Sequence, residues 1–233
     1  MTMRPGGELA TRPLHFIWIA DCSGSMAVDG KIQALNTAIK EAIPNMQAVA
    51  DENPNAQVLV RAIKFSSGAQ WHVSQPTEVA DFRWEDLTAE GVTDMGKALL
   101  MVAEQLRIPP MTDRALPPVL VLISDGQPTD EYKSGLKALM DEPWGLKAVR
   151  IAIAIGEDAD TEVLQKFIGN PELKPLQANN PEALVKYIKW VSTAVLKSAS
   201  SPASQTLDPA TPGMNVPIPV LPDGAPSSAD DVW

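Results

Sequence analysis

The sequence predicts a doubly wound α/β domain: a mostly parallel central sheet with one antiparallel edge strand and helices on both faces. The first observation behind this is a set of apolar runs at 16–20 (FIWIA), 119–123 (VLVLI) and 148–155 (AVRIAIAI). Such runs mark strands buried on both faces, which is how parallel sheets read. The second is that segments with three- and four-residue apolar spacing alternate with these runs. The third is that two runs lead directly into small oxygen-bearing residues, Asp21-Cys22-Ser23-Gly24-Ser25 and Ser124-Asp125-Gly126. Open α/β sheets place their ligands at the carboxyl ends of their strands.

Taken in order, Phe16 to Ala20 predicts the central strand. Lys31 to Ala50 sets Ile32, Leu35, Ala38, Ile39, Ala42, Ile43, Met46 and Val49 on one helical face, with Pro44 as a kink point. Turn residues Asp51 to Asn55 give way to a second strand, Val58 to Phe65. Gly68 breaks it, and the alternation from Ala69 to Ser74 reads as the edge strand of a short hairpin ending at Pro76. After an irregular stretch (Asp81 to Leu87), the loop TAEGVTDMG precedes a helix reaching Leu106. Pro109, Pro110, Pro117 and Pro118 fence off a surface connection before the strand Val119 to Ile123. A helix (Tyr132 to Met140), a strand (Ala148 to Ile155), a helix (Thr161 to Ile168), a short strand (Leu173 to Ala178) and a last helix (Pro181 to Ser198) follow. Pro181 falls in the first turn of that helix, where its missing N–H is harmless.

The organisation is therefore a polar N-terminal arm (1–11), one domain (12–198) and a Pro/Ser-rich acidic tail (199–233) without Lys or Arg. The tail lacks the composition of a core. Within it, MNVPIPVL at 214–221 is apolar and Pro-spaced, and Asp230-Asp231-Val232-Trp233 follows. Trp is an anchor residue at interfaces, so the tail, through Asp230, Asp231 and Trp233, is expected to dock in extended form on a partner or on a second copy of the chain.

Lys and Arg number 19 against 29 Asp and Glu, a net charge of -10, which argues against nucleic acid or an anionic membrane as partner. No apolar run approaches the roughly 20 residues of a membrane span, and MTMRPGGELATRP has no apolar leader character. The single cysteine, Cys22, forms no intrachain disulfide and suits a reducing compartment. These features point to a cytoplasmic protein.

Asp21, Ser23 and Ser25 stand at alternate positions, and Gly24 lets the backbone turn sharply, so three side-chain oxygens converge as a hard cation requires. The plainer reading is turn chemistry, with Ser25 or Asp29 capping the helix at Lys31. Two more loops deliver oxygens to the same end of the sheet: Thr93 in Gly91-Val92-Thr93-Asp94, and Asp125 in Ser124-Asp125-Gly126.

The pattern D-x-S-x-S, then a Thr, then an Asp, resembles the metal-ion-dependent adhesion site of von Willebrand factor A domains, over roughly residues 12–198. The resemblance implies a Rossmann-like fold with a magnesium ion at its top. Ser23, Ser25 and Thr93 would be hydroxyl ligands, and Asp21 and Asp125 would act directly or through bound water. Magnesium takes about six oxygens, and manganese or calcium are the other cations for such a set. With few anionic ligands the ion stays electrophilic, so an acidic chain can still bind a partner's Asp or Glu. Val92 stands where the family often has the second glycine of a Gly-Gly-Thr loop. Cys22 points away from the ligands by alternation and is read as packing. Asp94 and Asp130 are candidates for outer carboxylates or helix caps.

Within the family, WIADCSGSM (18–26), TDMGKAL (93–99) and SDGQPTD (124–130) are similar to the bacterial TerY-like group. That resemblance implies a tellurium-resistance or chemical-stress system, with a protein kinase and a PPM-type phosphatase as partners. The acidic terminus adds the expectation that Asp230 or Asp231 fills the open coordination position of a neighbouring molecule.

Catalytic readings fit less well. A haloacid-dehalogenase-type phosphatase needs a second Asp where Ser23 stands. A P-loop fails because Gly24 and Gly30 are one residue too far apart and Ile32 replaces the Ser or Thr. Serine hydrolysis needs a histidine, yet His15 precedes the central strand and His72 falls in the edge hairpin. A third reading keeps the fold without the metal, as a scaffold acting through its tail. The sequence as a whole predicts a metal-dependent protein-interaction module, not an enzyme.

Overall fold

Six strands, β1 (Arg12–Asp21), β2 (Ala56–Ser66), β3 (Gly68–Glu78), β4 (Val119–Ser124), β5 (Val149–Ile155) and β6 (Leu176–Ala178), form one sheet in the order β3-β2-β1-β4-β5-β6. A computed structural model describes residues 11–125, 127–201 and 218–220. Every neighbouring pair is parallel except β2 and β3, whose hairpin supplies the antiparallel edge. The long apolar runs take the middle of the sheet because helices cover it from both sides, and every residue of β4 and β5 is buried. Arg150 is buried in β5 and is satisfied by donating to the carbonyls of Phe167, Ile168 and Gly145.

The helices are α1 (Lys31–Glu52), α2 (Met95–Gln105), α3 (Tyr132–Asp141), α4 (Pro143–Lys147), α5 (Thr161–Ile168) and α6 (Pro181–Trp190). A wider π-type turn at Val191–Val195 carries α6 into α7 (Leu196–Ser200). α1 packs beside α6, and α2 beside α3. Phe16 and Trp18, both fully buried on β1, meet edge to face with ring centroids 4.8 Å apart.

The elements differ from their sequence expectations mostly at their ends. β1 begins at Arg12, so His15 lies inside the central strand, toward its amino end, rather than before it. β3 continues past Pro76 to Glu78, and a register break between Val60 and Ala62 takes up the irregularity. On an edge strand the proline's missing N–H costs no ladder bond. α1 runs through Pro44 to Glu52. Neither Ser25 nor Asp29 caps it: the cap position is Gly30, in the left-handed region at φ 75°, with no side-chain hydrogen bond. α4 follows Glu142 with Pro143 in its first turn, a short element that the sequence pattern does not announce.

Of the apolar tail stretch, residues 218–220 are described, and they lie against the chain's own domain. Ile218 packs on the core, and the Trp190 indole N–H donates to the Val220 carbonyl at 3.3 Å. Asp230, Asp231 and Trp233, expected to dock on a partner or a neighbouring molecule, lie outside the described residues.

Candidate metal centre

β1 ends in a buried Asp21 because this strand is central and its final residue still has a neighbour on each side. The chain then emerges. Ser23 is buried, Gly24 and Ser25 are exposed, and the fully buried Met26 pins the turn, its N–H donating to the Ser23 carbonyl at 3.0 Å. The Ser23 N–H donates to Asp21 Oδ1 at 2.8 Å, and the Ser23 and Ser25 hydroxyl oxygens are 3.1 Å apart. Three oxygen-bearing side chains at alternate positions thus meet at the carboxyl end of the sheet.

The other two loops are stapled to this one by backbone hydrogen bonds. Gly24 N–H donates to the Gly91 carbonyl and Glu90 N–H to the Cys22 carbonyl, each at 2.9 Å. Gly91 takes φ 77°, where any side chain would press on Ser67, so the bend needs a glycine here. Asp29 is the one non-glycine at positive φ among the described residues, so Val92 sits without backbone strain in place of a second glycine. Thr93 is buried, and two bonds reach it from the β4 loop. Its N–H donates to Thr129 Oγ1 at 3.0 Å, and its carbonyl accepts from the Thr129 N–H at 2.9 Å.

Asp125, also buried, is held by its neighbours on the β4 loop: Oδ1 accepts from the Gln127 N–H at 3.3 Å, and its carbonyl accepts from the Asp160 N–H at 2.7 Å. The Ser124 hydroxyl donates to Asp21 Oδ2 at 2.6 Å, joining the ends of the two central strands. Burial pushes the Asp21 carboxyl up to about 6 against the hydrogen bonds from Ser124 and Ser23, and the nearby Asp125 charge adds to the rise.

The outer carboxylates turn out to be structural. Asp130 reaches across to the N-terminus of α2, accepting from Gly96 N–H at 2.8 Å and Lys97 N–H at 2.9 Å. These are two of the donors that a helix start leaves without an internal partner. Asp94 accepts from Gly68 N–H at 2.8 Å and pairs with Lys97 Nζ at 2.6 Å. Cys22 is buried away from the cluster and its thiol donates to the Phe65 carbonyl at 3.3 Å. Burial pushes that thiol's pKa up. The sequence reading missed Ser124 and Thr129. Both belong to SDGQPTD, where a hydroxyl beside each carboxylate was the available signal.

The donor set fits a hard cation. Among the described residues neither Asp21 nor Asp125 forms an ion pair, and no three His, Cys, Asp or Glu side chains gather as a metal cluster here or elsewhere, so the set is a carboxylate pair with hydroxyls. Two buried carboxylates without a cationic partner are costly unless something positive binds them. The surrounding oxygens are hydroxyls, which suits magnesium better than a soft metal.

The chain belongs to the von Willebrand factor type A domain family, whose model matches residues 17–188. Domains of this family generally serve protein–protein interaction. Among solved structures it is similar to a von Willebrand factor type A protein from Catenulispora acidiphila, with TM-score 0.60 and 18% identity over 82% of this chain and 43% of that one. It is also similar to the ArnB paralog VWA2 from Sulfolobus acidocaldarius, with TM-score 0.56 and 17% identity over 76% of this chain and 44% of the other. The pilus adhesin SpaC from Lactobacillus rhamnosus GG gives TM-score 0.65 and 14% identity over 81% and 31%. The chain thus spans less than half the length of these three proteins, and the likeness shows the fold. Comparison with curated protein sequences gives no match. Among the described residues no helix is long and apolar enough to cross a membrane.

Proposed function

We propose that this chain is a metal-dependent protein-interaction module, in which Asp21, Ser23, Ser25, Thr93 and Asp125 hold magnesium and a protein partner contributes an Asp or Glu. The observation that carries the reading is the pair of buried carboxylates, Asp21 and Asp125, gathered without a cationic partner beside the buried Ser23 and exposed Ser25 hydroxyls. Bound there, magnesium would supply a positive centre open to a carboxylate from outside; manganese or calcium are the alternatives. The chain's own residues orient the oxygens. Ser124 and Ser23 fix the two oxygens of Asp21, and Thr129 fixes the backbone of Thr93.

Two exposed apolar side chains support a contact surface around this mouth. Val28, on the loop after Ser25, is 53% exposed, and Val92, beside Thr93, is 48% exposed. Capture is favoured over hydrolysis because neither histidine serves the hydroxyls. His15 lies toward the amino end of β1, while the His72 ring meets the Glu85 carbonyl at 2.9 Å and stacks edge-on against Trp84. One structurally similar protein is a pilus adhesin, which agrees with a binding role. The likeness of 18–26, 93–99 and 124–130 to the TerY-like group supports a cytoplasmic setting in tellurium resistance or stress signalling, with a kinase and a PPM-type phosphatase as candidate partners.

An amide-shift titration with magnesium tests the metal site. The amides of Ser23, Ser25 and Thr93 should shift saturably and return on chelation, and Asp21→Asn should abolish the response with the rest of the spectrum unchanged. A spectrum indifferent to magnesium at cellular concentrations would remove the reading.

A further inference from the structure

At the end of α6, a second surface of the domain holds a segment of recognisable chemistry. Trp190 closes α6 and is 7% exposed, its indole N–H donating to the backbone carbonyl of Val220 at 3.3 Å. Ile218 is half-buried against the core, whereas the Val220 side chain is 93% exposed. Ile218 therefore supplies the apolar anchor, and Val220 contributes its carbonyl while its side chain faces solvent. The Trp190 donor contrasts with two other buried indoles, Trp18 and Trp144, whose N–H groups have no partner.

The flanking sequence explains why a Trp suits this contact. Residues 216–222 read VPIPVLP, with a proline at alternate positions around Ile218. A residue before proline is pushed to extended backbone, and proline has no N–H, so such a segment presents carbonyls in a stiff ribbon with few donors of its own. A surface that recognises it must offer an aromatic face and a donor. An indole offers both, the combination that aromatic-lined grooves use on proline-rich segments.

We propose that the Trp190 face of α6 is a docking surface for an extended, proline-spaced apolar segment, and that its occupant is the chain's own Ile218-Pro219-Val220. This segment is thus in the first place a ligand of its own domain rather than of a partner or a second copy. The proposal is independent of the metal centre, because Trp190 contributes nothing to that cluster.

The test is the Trp190 indole N–H resonance of the full-length protein, assigned by its loss in Trp190→Phe. In the native chain its hydrogen exchange should be about tenfold slower than in Ile218→Ser, the scale of one net hydrogen bond. Its position should be unchanged on dilution. Trp190→Phe, which keeps a ring and removes the donor, should in turn move the Val220 carbonyl-carbon resonance upfield, a readout from the other partner should Ile218→Ser disturb the fold. Indole exchange identical in native protein and Ile218→Ser, with the Val220 carbonyl-carbon resonance unmoved by Trp190→Phe, would overturn the contact. A resonance that moves on dilution would overturn the occupant, assigning the surface to a second copy.

Discussion

Ser124 Oγ donates to Asp21 Oδ2 at 2.6 Å, so the last residue of β4 holds the carboxylate that ends β1. Both residues are fully buried, and the bond links the two central strands at the point where the candidate ligands gather. Removing the hydroxyl leaves a desolvated carboxylate with one hydrogen bond fewer. Ser124→Ala should cost about 1.5–3 kcal/mol, the range for a hydrogen bond to a charged group, measured by urea unfolding of the magnesium-free protein. A cost near zero would mean that Asp21 is not held this way.

Gly135 gives a prediction opposed to helix propensity. It lies inside α3, where replacing glycine by alanine on an open helix face gains up to about 1 kcal/mol. Here, however, an added Cβ would meet the backbone of Gly96 on α2, whose Cα is 2.8 Å away. Both neighbours are rigid helix backbone, so Gly135→Ala should destabilise by about 1–3 kcal/mol. The melting midpoint should drop by several degrees, and a rise would contradict the close crossing of α2 and α3.

His15 sets a pH dependence. Burial, with the Arg61 charge as a lesser cause, lowers its pKa to about 4 from an ordinary 6.5. The unfolded chain therefore takes up a proton below pH 6.5 while the folded chain holds His15 neutral until about pH 4. Stability from this group is complete above 6.5 and declines as pH falls through that window. Allowing for partial exposure, the loss by pH 4 is about 2 kcal/mol. Unfolding free energies at pH 7 and pH 4.5 should drop by correspondingly less in His15→Gln than in the native chain. Equal drops would show that His15 titrates normally.

Much of this architecture was legible because burial on both faces of a central sheet demands continuous apolar runs, and FIWIA, VLVLI and AVRIAIAI are such runs. The edge hairpin was legible from Gly68 and the alternation after it. Strand and helix ends were less so. β1 extends back to Arg12 through Pro13 and His15, residues whose pattern is not that of a buried strand; pairing with β2 fixes them there. The candidate oxygens were legible as types at alternate positions, and the backbone bonds among the Cys22, Gly91 and Thr129 regions bring them to one end of the sheet. What no local pattern revealed were the tertiary roles. Ser124 serves a residue on another strand, Asp130 caps α2 from a distant loop, and Trp190 finds its acceptor at Val220.

The most direct test of the central claim is affinity capture from native lysate with the full-length chain, in magnesium and in EDTA, beside Asp21→Ala. Metal-dependent capture predicts a partner retained in magnesium and lost in both EDTA and the variant. A partner held equally in all three would contradict the metal reading and move recognition to another surface of the chain.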